Sequence, residues 1–238
     1  MTDEELLVDA ETRRRVKAAQ TNITIPSKAG GEDLTAALSR LASLKAVERP
    51  PEHTEDSAKA KELLEASGVP KRHLGRLVDM HNERWSEKLG RVQGLLGSGF
   101  ILALCGAQGR GKTQLAVEAI KTNSAKLKTS KFSTAMDFFI ALKASYDPEE
   151  RDSESGVITR FSKPRLLVLD EMDERGETEW ENRLLFHMVN RRYNNMTDTI
   201  LISRRTYPEF EQSIGKSIAS RLMETGGHID CDWESFRV

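Results

Sequence analysis

Two short stretches of this 238-residue sequence put reactive side chains at spacings that a reaction would need. The first reads Gly106-Ala107-Gln108-Gly109-Arg110-Gly111-Lys112-Thr113, a match to G-x-x-x-x-G-K-[ST]. It follows an apolar run and opens a helix-like segment, the setting in which such a loop can work. Glycines let the backbone fold tightly enough for its N–H groups to surround phosphate oxygens, and the helix behind aims its positive end at them. In that pattern Gly106, Gln108, Gly109, Arg110 and Gly111 form the cradle and Lys112 reaches the outer phosphates. Thr113 offers a hydroxyl to a magnesium ion. The plainer alternative is a glycine-rich strand-to-helix turn that binds nothing. Average residue usage puts a chance match somewhere in the chain at roughly one in a hundred.

The second stretch is Leu166-Leu167-Val168-Leu169-Asp170-Glu171. A buried strand ending in an acidic pair places Asp170 at the carboxyl edge of a sheet, beside the loop, where it can hold magnesium. Glu171 is then set to polarise a water in line with the last phosphate, as general base or orienting group. Alone, the acids would read as an ordinary acidic loop, since Asp173, Glu174, Glu177 and Glu179 follow. After a phosphate loop they read as half of an ATP and magnesium site.

These residues need a sheet to hold them. Residues 100–105, 132–135, 165–170 and 199–203 read as strands, and 115–125, 137–146, 179–194 and 214–223 as helices, with an acidic, mobile loop over 147–155 between them. Strand alternating with helix predicts a three-layer α/β fold with a parallel sheet. That core occupies 100–238. A helical apron, with helices over 57–67 and 74–89, covers 57–99. Residues 1–56 are polar and helical in pattern, broken by a linker over 25–31. Leu34, Leu38, Leu41 and Leu44 line one helical face there, either packing on the chain's own core or docking into a partner's groove.

Composition narrows the class. Hydrophobic residues make up 38% of the chain, enough to bury an ordinary core. Lys plus Arg total 36 and Asp plus Glu 37, so any nucleic-acid contact must be a local patch. Cys105 and Cys231 are too few for a disulfide framework, the five histidines are scattered, and no run approaches the ~18 apolar residues of a membrane span. A cytoplasmic protein is expected.

The chain resembles the AAA+ ATPases of the DnaC helicase-loader type and is similar to the IstB transposition helpers. The resemblance rests on Ser67-Gly68-Val69-Pro70-Lys71-Arg72, on Asn190-Arg191-Arg192-Tyr193 in the helix after the acidic pair, on Gly215-Lys216-Ser217-Ile218-Ala219-Ser220-Arg221-Leu222, and on the ending Asp232-Trp233-Glu234-Ser235-Phe236-Arg237. It implies that Arg221 is an arginine finger reaching a neighbouring subunit, that the ending is a terminal strand, and that Arg237 serves a sensor role. It also implies a DnaB-like replicative helicase as partner, single-stranded DNA as ligand, and self-association into a spiral or ring. One departure stands out: the family's sensor asparagine is replaced by Arg204, with Ser203 beside it. An arginine can clamp a phosphate but cannot accept a hydrogen bond to orient water. An IstB-like helper that recruits a transposase, or a small-molecule P-loop kinase, are the rival readings.

Lys121, Lys126, Lys128 and Lys131 fall within eleven residues with no acid among them, close to a helix carrying Phe138, Phe139, Lys143 and Tyr146. Cations interleaved with aromatics suit single-stranded DNA. Phe138, Phe139 and Leu142 equally suit the core face of a helix, which leaves Lys143 and Tyr146, with Lys126, Lys128 and Lys131, as the expected DNA contacts.

Overall fold

Strands made wholly of apolar side chains are stable only when both faces of their sheet are covered, and that requirement organises the computed structural model, which describes residues 54–75, 82–147, 149 and 152–236. The leucine stripe, the linker over 25–31 and Arg237 lie outside these residues. Helix α1 is Thr54–Ala66, the short α2 is Lys71–Leu74, and α3 is Glu83–Leu95, started by the Asn82 side chain accepting from the Trp85 N–H. Then come β1 (Ile101–Cys105), α4 (Lys112–Ala125), β2 (Ser130–Thr134), α5 (Ala135–Ala144), α6 (Glu154–Ser162) and β3 (Leu166–Asp170). A 3-10 turn at Met172–Glu174 leads to α7 (Glu179–Asn194), β4 (Asp198–Ile202), α8 (Tyr207–Ile214), α9 (Lys216–Thr225) and β5 (Gly227–Asp230).

The five strands form one sheet in the order β2-β3-β4-β1-β5, every pairing parallel. All five therefore end at the same edge. Alternation along β1 shows the layering: Ile101, Ala103 and Cys105 join one core cluster, while Leu102 and Leu104 join the other. The first cluster takes its helical side chains from α5 through α9, among them Phe138, Leu185, Phe210 and Leu222. The second takes Leu115, Ala119 and Ile120 from α4 and Trp85 and Val92 from α3. The result is the expected helix–sheet–helix sandwich.

Two buried polar residues tie the sheet's amino edge together. Asp198 accepts from the N–H groups of Gly97 and Gly99 at 2.6 and 2.8 Å. Arg192, fully buried at the end of α7, donates to Thr199 Oγ1 and to the carbonyls of Phe161, Ser162, Pro164 and Asp198.

Four sequence readings are corrected. The acidic loop read over 147–155 is cut short by an unexpected helix, α6, which starts at Glu154 with Ser153 accepting from the Gly156 N–H and is buried through Val157, Ile158 and Phe161. The helix expected over 214–223 is α9, starting two residues later at Lys216, because Gly215 at φ 78° separates it from α8, a helix the sequence reading did not place. The terminal strand is Gly227–Asp230, and 232–236 is a non-strand tail. The helix placed over 74–89 is divided, α2 stopping at Leu74 and α3 starting at Glu83.

Candidate active site

At the carboxyl edge of the sheet β1 hands over to the glycine loop, β3 to the acidic pair and β4 to Ser203 and Arg204. Together with Pro70, Arg72 and His73 they line a cavity of about 520 Å³. The loop can turn there because Gly106, Gly109 and Gly111 all hold positive φ (125°, 84° and 74°). At Gly106 a Cβ would come within 2.6 Å of the Cys231 carbonyl oxygen, so no larger residue fits.

Lys112, buried at the first position of α4, donates from Nζ to the carbonyls of Gly106 and Ala107 at 2.5 and 2.8 Å. Burial lowers its pKa from the ordinary lysine value, while the nearby charge of Asp170 and Asp173 works the other way. Thr113 Oγ1 donates to Asp170 Oδ2 at 2.7 Å, and the Glu171 N–H donates to Asp170 Oδ1 at 2.7 Å. Asp170 is buried, Glu171 exposed at the cavity wall. Glu171 also holds a left-handed backbone, φ 55° and ψ 44°, a conformation costly for a residue with a side chain and found disproportionately at active sites. The sequence-predicted residues Gly106 to Thr113, Asp170 and Glu171 are thus brought together.

The hydroxyl of Thr113 beside the carboxylate of Asp170 is a pair of hard oxygen ligands of the kind magnesium takes, so these residues fit the ion. Among the described residues no group of three or more His, Cys, Asp and Glu could hold a metal unaided. Magnesium suits such a sparse site, since it fills its coordination with waters and substrate phosphates.

Arg204 lines the cavity, but its guanidinium is engaged by Glu174 and lies 3.8 Å from Asp173. Asp173 is the hub of this wall: it accepts from Ser203 Oγ at 2.6 Å and from the Arg204 N–H, and faces Arg205 at 3.5 Å. Arg205 Nη1 also pairs with Glu177 at 2.6 Å, and its carbonyl accepts from the Gly106 N–H at 2.9 Å. Arg221 is on α9, outside the cavity lining. Its guanidinium lies over the rings of Phe186 and Tyr193 and donates to Asn190 Oδ1 at 2.7 Å and the Ser217 carbonyl at 2.8 Å.

The expected DNA contacts do not share one layer. Lys126 and Lys128 follow the end of α4, and Lys121 pairs with Glu118 at 2.8 Å. On the other face, Lys143 Nζ lies 5.8 Å over Trp180, and Tyr146 bonds Glu154 and accepts from Trp180 Nε1. Lys131, at the sheet edge, lies 4.6 Å over Phe161. Phe138, Phe139 and Leu142 are core.

Sequence reasoning missed the residues that touch the loop from behind. Trp85 Nε1 donates to the Gly111 carbonyl at 3.4 Å, Trp233 Nε1 to the Arg110 carbonyl at 2.9 Å, and the Phe236 N–H to the Gly109 carbonyl at 2.9 Å. Two tryptophans in otherwise polar segments were the available signal.

Comparison with known proteins agrees with this geometry. The family model of the IstB-like ATP binding proteins matches residues 91–238. The uncharacterized protein YdaV of Escherichia coli (strain K12) is 31% identical over 138 residues, 57% of this chain and 54% of its own length. The replicative helicase loader DnaC of the same organism is 25% identical over 133 residues, 56% of this chain and 54% of its own length. The matched region therefore spans about half of each curated relative. A crystal structure of the DnaC helicase loader overlays with a TM-score of 0.59 at 21% identity, covering 68% of this chain and 99% of that one. Among the described residues no helix is long and apolar enough to cross a membrane.

Proposed function

The chain belongs to the IstB-like ATP binding protein family, and from that premise we propose that it is a cytoplasmic ATPase that loads a DnaB-like replicative helicase onto single-stranded DNA. One observation carries the ATPase reading: Thr113 and Asp170 are hydrogen-bonded across the mouth of the glycine loop with Glu171 next in the chain, on one cavity.

The chemistry follows from the side chains. Phosphoryl transfer needs positioning and charge stabilisation more than covalent help. The ammonium of Lys112 has three donors, two held by loop carbonyls, and offers the third to the β and γ phosphates. Thr113 and Asp170 would hold magnesium, which supplies charge neutralisation between those phosphates when bound. Glu171, exposed at the cavity wall, orients the attacking water and takes its proton. Arg204 can trade Glu174 for the γ phosphate, and Ser203 keeps the turn that carries it closed on Asp173. Arg221 reaches a neighbour's γ phosphate once subunits assemble in a spiral or ring, stabilising charge in trans. Arg237 serves as a sensor beside it. Lys143 and Tyr146, with Lys126, Lys128 and Lys131, contact the single strand, and residues 1–56 grip the helicase.

A second reading has its own support, since the family is described through its IstB members: the same core would then drive a transposase instead of a helicase. Capture of purified DnaB-type helicase by the full chain, but not by a chain lacking residues 1–56, is the expected result, with ATP bound equally by both. Capture of a transposase and not of the helicase would decide for the rival. In the same preparation Glu171→Gln should still bind ATP while hydrolysis slows by about a hundredfold or more.

A further inference from the structure

Three successive carbonyls of the glycine loop each accept a hydrogen bond from a distant part of the chain, two of them from tryptophans that lie outside the cavity lining. Gly109 O accepts from the Phe236 N–H (2.9 Å), Arg110 O from Trp233 Nε1 (2.9 Å), and Gly111 O from Trp85 Nε1 (3.4 Å) as well as from the Leu115 N–H of its own helix. The holders are rigid: Trp85 and Trp233 are both buried in the core cluster on that side of the sheet. Gly111 is further confined, since a Cβ there would lie 3.0 Å from the Phe236 ring and 3.1 Å from Trp85 Nε1. The tail itself is fixed at its start by the Cys231 N–H donating to the Cys105 carbonyl at 2.8 Å.

A trans peptide is planar, so its C=O and N–H point to opposite sides, and the described residues contain no cis bond. Holding the carbonyls of Arg110 and Gly111 toward Trp233 and Trp85, which do not line the cavity, therefore turns the N–H groups of Gly111 and Lys112 the other way. Gly111 and Lys112 both line the cavity. We propose that Trp233 and Trp85 are positioning residues of the phosphate site, which keep the loop's N–H groups aimed at the nucleotide before it arrives. Trp233 thereby makes the tail part of the site through its hold on the loop. Anion sites gain most from donors that need no reorganisation on binding.

This inference rests on the reading of the cavity as a nucleotide site, and the test separates the two. Trp233→Phe keeps the ring and removes the donor. With the full chain, dissociation constants are measured for ATP, ADP, pyrophosphate and adenosine. ATP, ADP and pyrophosphate should each weaken by about fivefold, the factor equivalent to ~1 kcal/mol for one hydrogen bond, and adenosine should not change. A merely structural role would shift adenosine along with the rest, and that result, or an unchanged ATP constant in the variant, overturns the positioning role. Wild-type protein that binds none of the four overturns the nucleotide reading itself. Should Trp233→Phe fail to fold, Trp85→Phe removes the Gly111 donor instead; it should weaken the phosphate-bearing ligands and leave adenosine unchanged, and wild-type affinity for all four would overturn the proposal.

Discussion

Asp170→Asn isolates the charge of the carboxylate from its shape. In the wild type Oδ1 accepts from the Glu171 N–H and Oδ2 from the Thr113 hydroxyl, each at 2.7 Å. Asparagine keeps one oxygen for the Glu171 N–H, and the Thr113 hydroxyl can rotate to accept from the new amide. The fold should lose no more than ~1 kcal/mol, a fall in Tm of about 2–4 °C for a domain of this size. The charge has no such substitute. Asp170 is one of the groups that favour the protonated form of Lys112 against burial, and its carboxylate is half of the oxygen pair that suits magnesium. Metal-dependent ATP affinity should fall by about 10- to 100-fold, the usual effect of losing a group that orients or ligates a metal. The assay is ATP titration by calorimetry with magnesium and again with a chelator, alongside a thermal melt. The expected pattern is a near-normal melt, a modest loss in chelator and a large loss in magnesium. Equal weakening in both conditions, or a magnesium-dependent gain as large as wild type's, would refute the assignment of Asp170 to the metal.

Three further outcomes are expected. Because burial depresses the Lys112 pKa below the ordinary 10.5, ATP affinity should fall as pH is raised toward that value, whereas Lys112→Arg should show a flat profile; a flat wild-type profile would contradict the role given to the ammonium. Stability runs the other way: between the depressed value and 10.5 the unfolded chain holds more protons at this site, so this group's contribution to folding stability rises with pH across that window. Arg221→Ala should leave ATP binding intact and slow hydrolysis, and mixing it with Lys112→Ala subunits should restore part of the activity, because each supplies what the other lacks. A crosslinked mixture no more active than its parts would remove Arg221 from the interface.

The residues that meet phosphate were legible because their chemistry is local: the glycine loop, Lys112 and Thr113 are contiguous, and Asp170 and Glu171 end an apolar run that only a buried strand explains. Helix α7 was read with its observed limits, since Thr178 and Glu181 cap it and Asn195 ends it. What failed was non-local or disguised. The acids around residue 150 masked α6, whose apolar face is only Val157, Ile158 and Phe161. Paired glycines at 226 and 227 look like a breaker, yet Gly227 begins β5, and a Cβ on Gly226 would come within 2.4 Å of the Ile101 carbonyl oxygen. The pairing of Trp85 with Gly111 and of Trp233 with Arg110 spans 26 and 123 residues, beyond any sequence window. Asp173 looked like one acid among several, although its contacts to Ser203 and Arg205 make it the anchor of the β4 turn.

Arg192 carries a consequence for how the chain comes apart. Its guanidinium joins the end of α7 to carbonyls at the end of α6 and just before β3, and to the start of β4, reaching up to 31 residues along the chain. The donations to Asp198 and Thr199, six and seven residues away, need only the turn between α7 and β4, but the complete clasp closes only when all three segments have met, so its long-range half is expected to form late in folding and to contribute little to the transition state. Interactions of that kind act on the unfolding rate. The clasp therefore sets how long the assembled sheet edge persists before it opens, and the carboxyl edge with its nucleotide cavity inherits that lifetime through β3 and β4.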